Sequence, residues 1–336
     1  IIPIGPIING EFKWLRGLPV NEYIYGIPCH ASSVLKINTK TNHVELLQWD
    51  YEIEGASPAE QKWKYHGGAI APHDGCIYCI PQAAERVLKI DPATDELSFI
   101  GPRYPGVNKW YGGLLGKHDG AIYGICQNAT GILRIDPVKQ TATVHGDYGQ
   151  GGYKWHGAVV HPDGNIYGIP AHSDTVLKIV PGVEPQLSTI GGPLRTGAHR
   201  TDGKYKFLGG AVGGDNMVYF FPSDSDYVCQ VDPETDKVRD VGPNLRDIED
   251  IHNNKWQNGL TTEDGTIYGI PLKGSKVIRI IPPRKGEVEP QITTVGGPYT
   301  GLNKWEGGVT AANGDMYCMP LNCNYSLRIR HKSIKV

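Results

Sequence analysis

Apolar residues in this chain fall in short runs that alternate with polar ones or are rich in β-branched types, and no stretch carries the three-and-four spacing of an amphipathic helix. Runs such as Ile24-Tyr25-Gly26-Ile27-Pro28, Ile166-Tyr167-Gly168-Ile169-Pro170 and Ile267-Tyr268-Gly269-Ile270-Pro271 read as half-buried strands, as do Val87-Leu88-Lys89-Ile90 and Val176-Leu177-Lys178-Ile179. Turn residues separate them. His73-Asp74-Gly75 and Pro162-Asp163-Gly164 are hairpin signals, because Asp-Gly accepts the positive φ that tight hairpins need. Turns such as Asp91-Pro92-Ala93-Thr94-Asp95 lead into a weaker fourth strand ending in Ile-Gly or Val-Gly. The pattern predicts an all-β chain.

The pattern also repeats. A phrase of Lys, an aromatic, one variable residue and then small residues occurs seven times. It opens at Lys13-Trp14, Lys64-Tyr65, Lys109-Trp110, Lys154-Trp155, Lys206-Phe207, Lys255-Trp256 and Lys304-Trp305. Successive lysines lie 51, 45, 45, 52, 49 and 49 residues apart. Repeats of 40–50 residues with four strands each indicate a β-propeller of seven four-stranded blades, here one domain over 1–336. The last repeat stops at its third strand, Leu327-Arg328-Ile329-Arg330, while Ile2-Pro3-Ile4-Gly5-Pro6 matches Thr294-Val295-Gly296-Gly297-Pro298. The N-terminal strand is therefore expected to complete the last blade and close the ring, leaving no open sheet edge.

Through these phrases the chain resembles the seven-bladed propeller class of WD40-type and quinoprotein-like architecture, although the Trp-Asp dipeptide of WD40 blades is missing at the matching positions. The resemblance covers the whole chain and implies a fold, not a function. It also implies an arrangement. In such propellers the loops from strand four to strand one, and from strand two to strand three, share one face, which brings the repeat lysines together there.

Composition narrows the function classes. A net charge of −2 gives no general attraction for nucleic acid, and no apolar run approaches the roughly 20 residues of a membrane-spanning helix. Seven cysteines without a spacing pattern argue against a disulfide framework, and no motif calls for a cofactor or a metal. The chain begins at Ile1 rather than methionine, which reads as a processed or trimmed start and leaves a secreted or organellar location open.

Two sets of residues stand out for chemistry. Lys13, Lys64, Lys109, Lys154, Lys206, Lys255 and Lys304 either attract an acidic ligand together or each meet a carboxylate or carbonyl of a neighbouring blade. The residues two places further on differ between repeats: Leu15, His66, Tyr111, His156, Leu208, Gln257 and Glu306. By strand alternation they share the lysines' face. His66, Tyr111 and His156 would suit proton transfer beside a lysine-neutralised carboxylate, the chemistry of β-elimination from a uronate. Gln257 and Glu306 would line the ligand site opposite them. Longer insertions at 48–62, 193–205 and 242–254 decorate the same face with Tyr51, Glu52, Glu54, Arg195, His199, Arg200, Arg246, Asp247, Glu249, Asp250 and His252.

The expected function is a binding module recognising an acidic glycan or a protein segment on the lysine-bearing face. Its rivals are a polysaccharide-lyase-type enzyme acting on uronate-containing glycans through His66, Tyr111 and His156, and a structural subunit of a larger assembly.

Overall fold

The computed structural model describes residues 4–48, 62–284, 286–311 and 314–331. They form twenty-seven strands and one 3-10 turn, Leu245–Asp247. The strands make seven sheets, six of four strands and one of three, each an antiparallel meander in chain order. The second blade is typical, with β5 (Tyr65–Ile70), β6 (Ile77–Pro81), β7 (Val87–Ile90) and β8 (Leu97–Ile100). The chain is all-β with seven blades, as its repeats imply. Contacts group the blades into two compact units, residues 1–153 with 181–186 and residues 154–180 with 187–336.

Each element of the repeat phrase has a structural task. The aromatic after the lysine is core in six blades, where Tyr65, Phe207, Trp256 and Trp305 are fully buried and Trp110 and Trp155 nearly so, while Trp14 is half-buried. Where it is tryptophan, its Nε1–H donates to the carbonyl just before strand three of the same blade. Trp110 reaches Gly131 at 2.8 Å, Trp155 reaches Thr175 at 2.9 Å and Trp256 reaches Lys276 at 2.8 Å. A buried indole thereby gains a partner, and the loop is pinned. The strand-two tyrosine is held by the aspartate of the hairpin turn four residues earlier. Tyr78, Tyr123 and Tyr219 each donate to Asp74, Asp119 and Asp215 at 2.7 Å, while the other oxygen of each aspartate accepts a backbone N–H inside the turn. Burial, and then the carboxylate, push these phenols well above their ordinary range.

The small residues of the phrase answer to close approach. A β-bulge interrupts strand one of every blade. In blade two, His66 and Gly67 lie between the pairs Tyr65↔Pro81 and Gly68↔Cys79, so the two oppose the single residue Ile80. Gly67 has φ +86°, and a Cβ there would lie 1.9 Å from the Gly112 carbonyl oxygen on strand one of blade three. At the matching bulge of blade six stands Asn258, φ +59°, the side chain that best tolerates this conformation.

The seventh sheet contains β25 (Trp305–Thr310), β26 (Met316–Pro320) and β27 (Leu327–Ile329). Of the strand expected to complete it, Ile1 to Pro3 lie outside the described residues, and Ile4 to Pro6 carry no assigned strand. Gly5 nonetheless makes the contact of a fourth-strand end. A Cβ on it would lie 2.5 Å from Val44, just as one on Gly191 would meet Val238 at 2.5 Å and one on Gly242 would meet Ile292 at 2.5 Å.

Gly67→Ala is expected to cost about 3 kcal/mol or more, because backbone cannot retreat as a flexible side chain can. Gly75→Ala, at φ +70° with nothing within 4 Å of its Cβ, should cost only about 1 kcal/mol. Urea unfolding of both variants checks this, and equal losses would show that backbone approach is not the constraint.

Candidate functional site

The lysines come first, since they were the basis of the expected site. Lys64 and Lys206 are fully buried, and Lys109, Lys154, Lys255 and Lys304 are 9% exposed or less. Four of the ammonium groups sit among backbone carbonyls. Lys109 Nζ donates to Gln82, Ala84 and Gly106 at 3.0, 3.0 and 2.7 Å, and Lys255 Nζ to Ser223, Ser225 and His252 at 2.9, 2.8 and 3.2 Å. Lys206 Nζ reaches His172, Ser173 and Gly203, with Asp174 at 3.0 Å, and Lys304 Nζ reaches Leu272, Lys273 and Gly301. In each set two acceptors belong to the strand-two-to-three loop of the preceding blade and one lies three residues back. Three N–H donors meet three acceptors, which is what a buried ammonium requires. These four groups are struts between blades, with no donor left for a ligand. Burial pulls Lys109 and Lys255 down to about 8, against the opposing pull of Glu85 on the first and of Asp224, Asp226 and Glu249 on the second.

Lys13 differs. It is half-buried, and among the described residues its ammonium donates to Gly10 alone, at 2.7 Å.

Among the residues two places after the lysines, the structure brings His66 and Tyr111 together. Their rings stack with centroids 3.8 Å apart and planes inclined by 33°. Tyr111 is 8% exposed. His156 and Gln257 lie in the other unit and are equally buried. Burial draws His156 down to about 4, so its ring is neutral at pH 7. Glu306 lies on β25, with its side chain outside the described set. In blade two the strand-one bulge falls at His66 and Gly67.

The insertions are fastened. Arg200 donates to Asp202 and, at 2.9 Å, to the buried Asp224, and the Ala198 N–H donates to Asp226. Glu249 is buried, accepting from the Ser275 and Lys276 N–H groups at 2.9 and 3.2 Å. Tyr51, Glu52 and Glu54 lie outside the described residues.

An open cleft of about 980 Å³ lies in the first unit, where the strand-four-to-one segments 8–13 and 62–63 meet the strand-two-to-three loop 30–33. These are the two loop classes that the propeller resemblance assigns to one face. Phe12, 43% exposed, and Trp63, 37% exposed, stand in it with ring centroids 5.2 Å apart. His30 packs edge-on against both, 5.4 Å from Phe12 and 4.8 Å from Trp63. Its Nε2 is buried with no hydrogen-bond partner among the described residues, and burial, then Lys62 and Lys64, hold the imidazole below its ordinary value. Lys13, Lys62, Glu11, Asn9 and Gln48 supply the polar rim.

Phe12 and Trp63 each immediately precede a repeat lysine, and each is left-handed, φ +47° and +57°. So is every residue at that place: Asn108, Tyr153, Tyr205, Asn254 and Asn303 follow suit. Asparagine visits this region at small cost, whereas a bulky aromatic is strained there by about 1–2 kcal/mol. Backbone bonds impose the conformation. The His30 N–H donates to the Phe12 carbonyl at 3.0 Å, Ala83 to Trp63 at 3.0 Å and Asp224 to Tyr205 at 3.0 Å. The second unit carries a smaller counterpart, with Tyr205 edge-on to His172 at 4.6 Å and the Arg200 guanidinium 5.1 Å from the Tyr205 ring. The sequence reading passed over this position. Its signal was asparagine at three of the seven places, which marks a left-handed turn where an aromatic has no local reason to be.

Comparisons with known proteins fit this picture of the fold. No protein-family model and no curated protein matches the chain. Among solved structures it is similar to virginiamycin B lyase from Staphylococcus aureus, with a TM-score of 0.62 at 12% identity over 90% of each chain. A catalytically inactive histidine-to-alanine form of that enzyme with quinupristin matches at 0.62 and 12%, over 93% of this chain and 94% of that one. Kuenenia stuttgartiensis hydrazine synthase matches at 0.56 and 13%, over 94% and 93%. At such identities the likeness is one of fold alone.

The caged lysines generate a test. Lys255→Met leaves three carbonyls without a donor and is expected to cost about 3 kcal/mol. Because the folded value near 8 lies below the ordinary 10.5, the unfolded chain binds the proton more tightly between those pH values. The lysine's contribution to stability therefore rises as pH climbs through that window. Unfolding free energies of both proteins just below pH 8 and near pH 10 should show the gap widening; a gap that narrows would contradict the assignment.

Proposed function

We propose that this chain is a ligand-binding propeller whose cleft at Phe12, Trp63 and Lys13 takes an acidic sugar. The observation that carries this reading is a pair of exposed aromatic rings held in a strained backbone conformation over an open, polar-rimmed cavity. Strain maintained by the surrounding hydrogen bonds is a mark of functional positions. A saccharide suits the cleft because its C–H faces pack on aromatic rings while its hydroxyls reach Asn9, Gln48 and Glu11. A uronate carboxylate would pair with Lys13, whose ammonium has one hydrogen-bond acceptor, Gly10, among the described residues, and with Lys62. The acidic ligand expected from the lysines is thus retained at a repeat lysine that lines a cavity.

The stack of His66 on Tyr111 favours a second reading, a lyase acting on uronate-containing glycans. Its weakness is the cation it needs: Lys109 is caged by three carbonyls, and Lys64 is buried.

The test is retention on a panel of acidic and neutral polysaccharides at several salt concentrations. Trp63→Asn and Phe12→Asn remove the rings and keep a residue that other blades already use there, so both variants should fold and lose binding by tenfold or more. Lys13→Ala should abolish the preference for acidic over neutral members. Retention unchanged in all three would remove the cleft from consideration. Under the second reading, wild-type protein releases unsaturated uronate product and His66→Ala does not; no product from the wild type ends it.

A further inference from the structure

The strand-three residue paired with the strand-two tyrosine is basic in six of the seven blades: Lys36, Lys89, Arg134, Lys178, Arg279 and Arg328, with Gln230 in blade five. Five of the six have a carboxylate. Lys36 pairs with Asp95, Lys89 with Asp74 at 3.3 Å, Arg134 with Asp119 at 3.0 Å, Lys178 with Asp236 at 2.5 Å and Arg328 with Asp315. Arg279 has none among the described residues. Its Nε donates weakly to the Thr293 hydroxyl at 3.3 Å, and it lies beside the Tyr268 hydroxyl.

The reason is local. In blades two and three the turn aspartate serves both the tyrosine and the strand-three cation. In blade six that aspartate is Asp264, and His331 has taken its place in the network. His331 Nε2–H donates to Asp264 at 2.8 Å, and Nδ1 lies 3.0 Å from the Tyr268 hydroxyl. Asp264 also accepts from the Thr262 hydroxyl at 2.6 Å and the Thr266 N–H at 3.1 Å. Arg279 is left facing a cavity of about 630 Å³, whose wall also holds Arg284 and Arg330. Among the described residues Arg330 has only a distant carboxylate, Asp315 at 3.7 Å, which Arg328 already engages. The other acidic residue of the wall, Asp215, accepts from the Tyr219 hydroxyl and the Met217 N–H.

We propose that this cavity is an oxyanion-binding site, separate from the aromatic cleft, in which Arg279, Arg330 and Arg284 grip a carboxylate or phosphate group of a small molecule. Guanidinium groups match both anions with paired N–H donors. Asp264, bound to His331 and two threonines, is not available to compete with the ligand. His331 and Tyr268 form the polar floor.

Calorimetric titration of the full chain at low ionic strength, with inorganic phosphate and separately with citrate, tests the proposal. One saturable site is expected for at least one of the two, and which one binds separates a phosphate from a carboxylate source. Arg279→Gln and Arg330→Gln should each weaken it by about tenfold or more, as for the loss of a charge-assisted hydrogen bond. Arg103→Gln, an exposed arginine elsewhere, should not. Arg330 is largely exposed, so its variant keeps the test valid if Arg279→Gln misfolds. No saturable binding of either anion, or equal affinity in both pocket variants, would overturn the site.

Discussion

The buried ammonium caged by three carbonyls is the interaction on which the rest of the structure depends. A loop that leaves strand two turns its carbonyls away from the ladder, and those oxygens need donors once the next blade covers them. Lys109, Lys206, Lys255 and Lys304 supply the donors from the next blade, and their own backbone N–H groups bond the same loops. One residue thus satisfies the end of one blade while positioning the start of the next. An isolated buried charge would be costly, but with every N–H paired the cage is an ordered, directional joint. The aromatic that follows fills the space beneath and pins the loop of its own blade.

That joint has consequences for the neighbouring residue. This residue is left-handed in all seven blades, and in six of them the loop donates a backbone N–H to its carbonyl. Where it is asparagine the conformation is inexpensive. Where it is Phe12 or Trp63 the same bonds hold an aromatic ring out over a cavity. The repeat builds the scaffold, and departures from the repeat change what a blade exposes at the same place. Arg279 follows the same logic on a different set of loops: His331 occupies the aspartate that other blades give to their cation, and the arginine is released toward a cavity.

Much of this could be read along the chain. The seven Lys-aromatic phrases set the blade number, and the alternation of apolar residues with Asp-Gly turns located the strands to within a residue or two. Both are local signals, since strand pairing in a meander joins neighbours in sequence and each turn is specified by its own residues. The strut role of the lysines was one of two readings the spacing allowed. Only tertiary structure could choose, because the acceptors are backbone carbonyls of another blade and leave no trace in side-chain identity. The bulge beside His66 leaves no mark in the apolar period, because it is set by backbone pairing with the neighbouring strand. The left-handed state of Phe12 and Trp63 comes from hydrogen bonds to a loop about twenty residues away, and the lack of a carboxylate for Arg279 among the described residues goes with a histidine more than fifty residues downstream. The sequence by itself determined the repeated architecture, because that rests on local period and turn chemistry. Which charges are caged inside the scaffold was decided by the tertiary structure, because that depends on partners brought together from different blades.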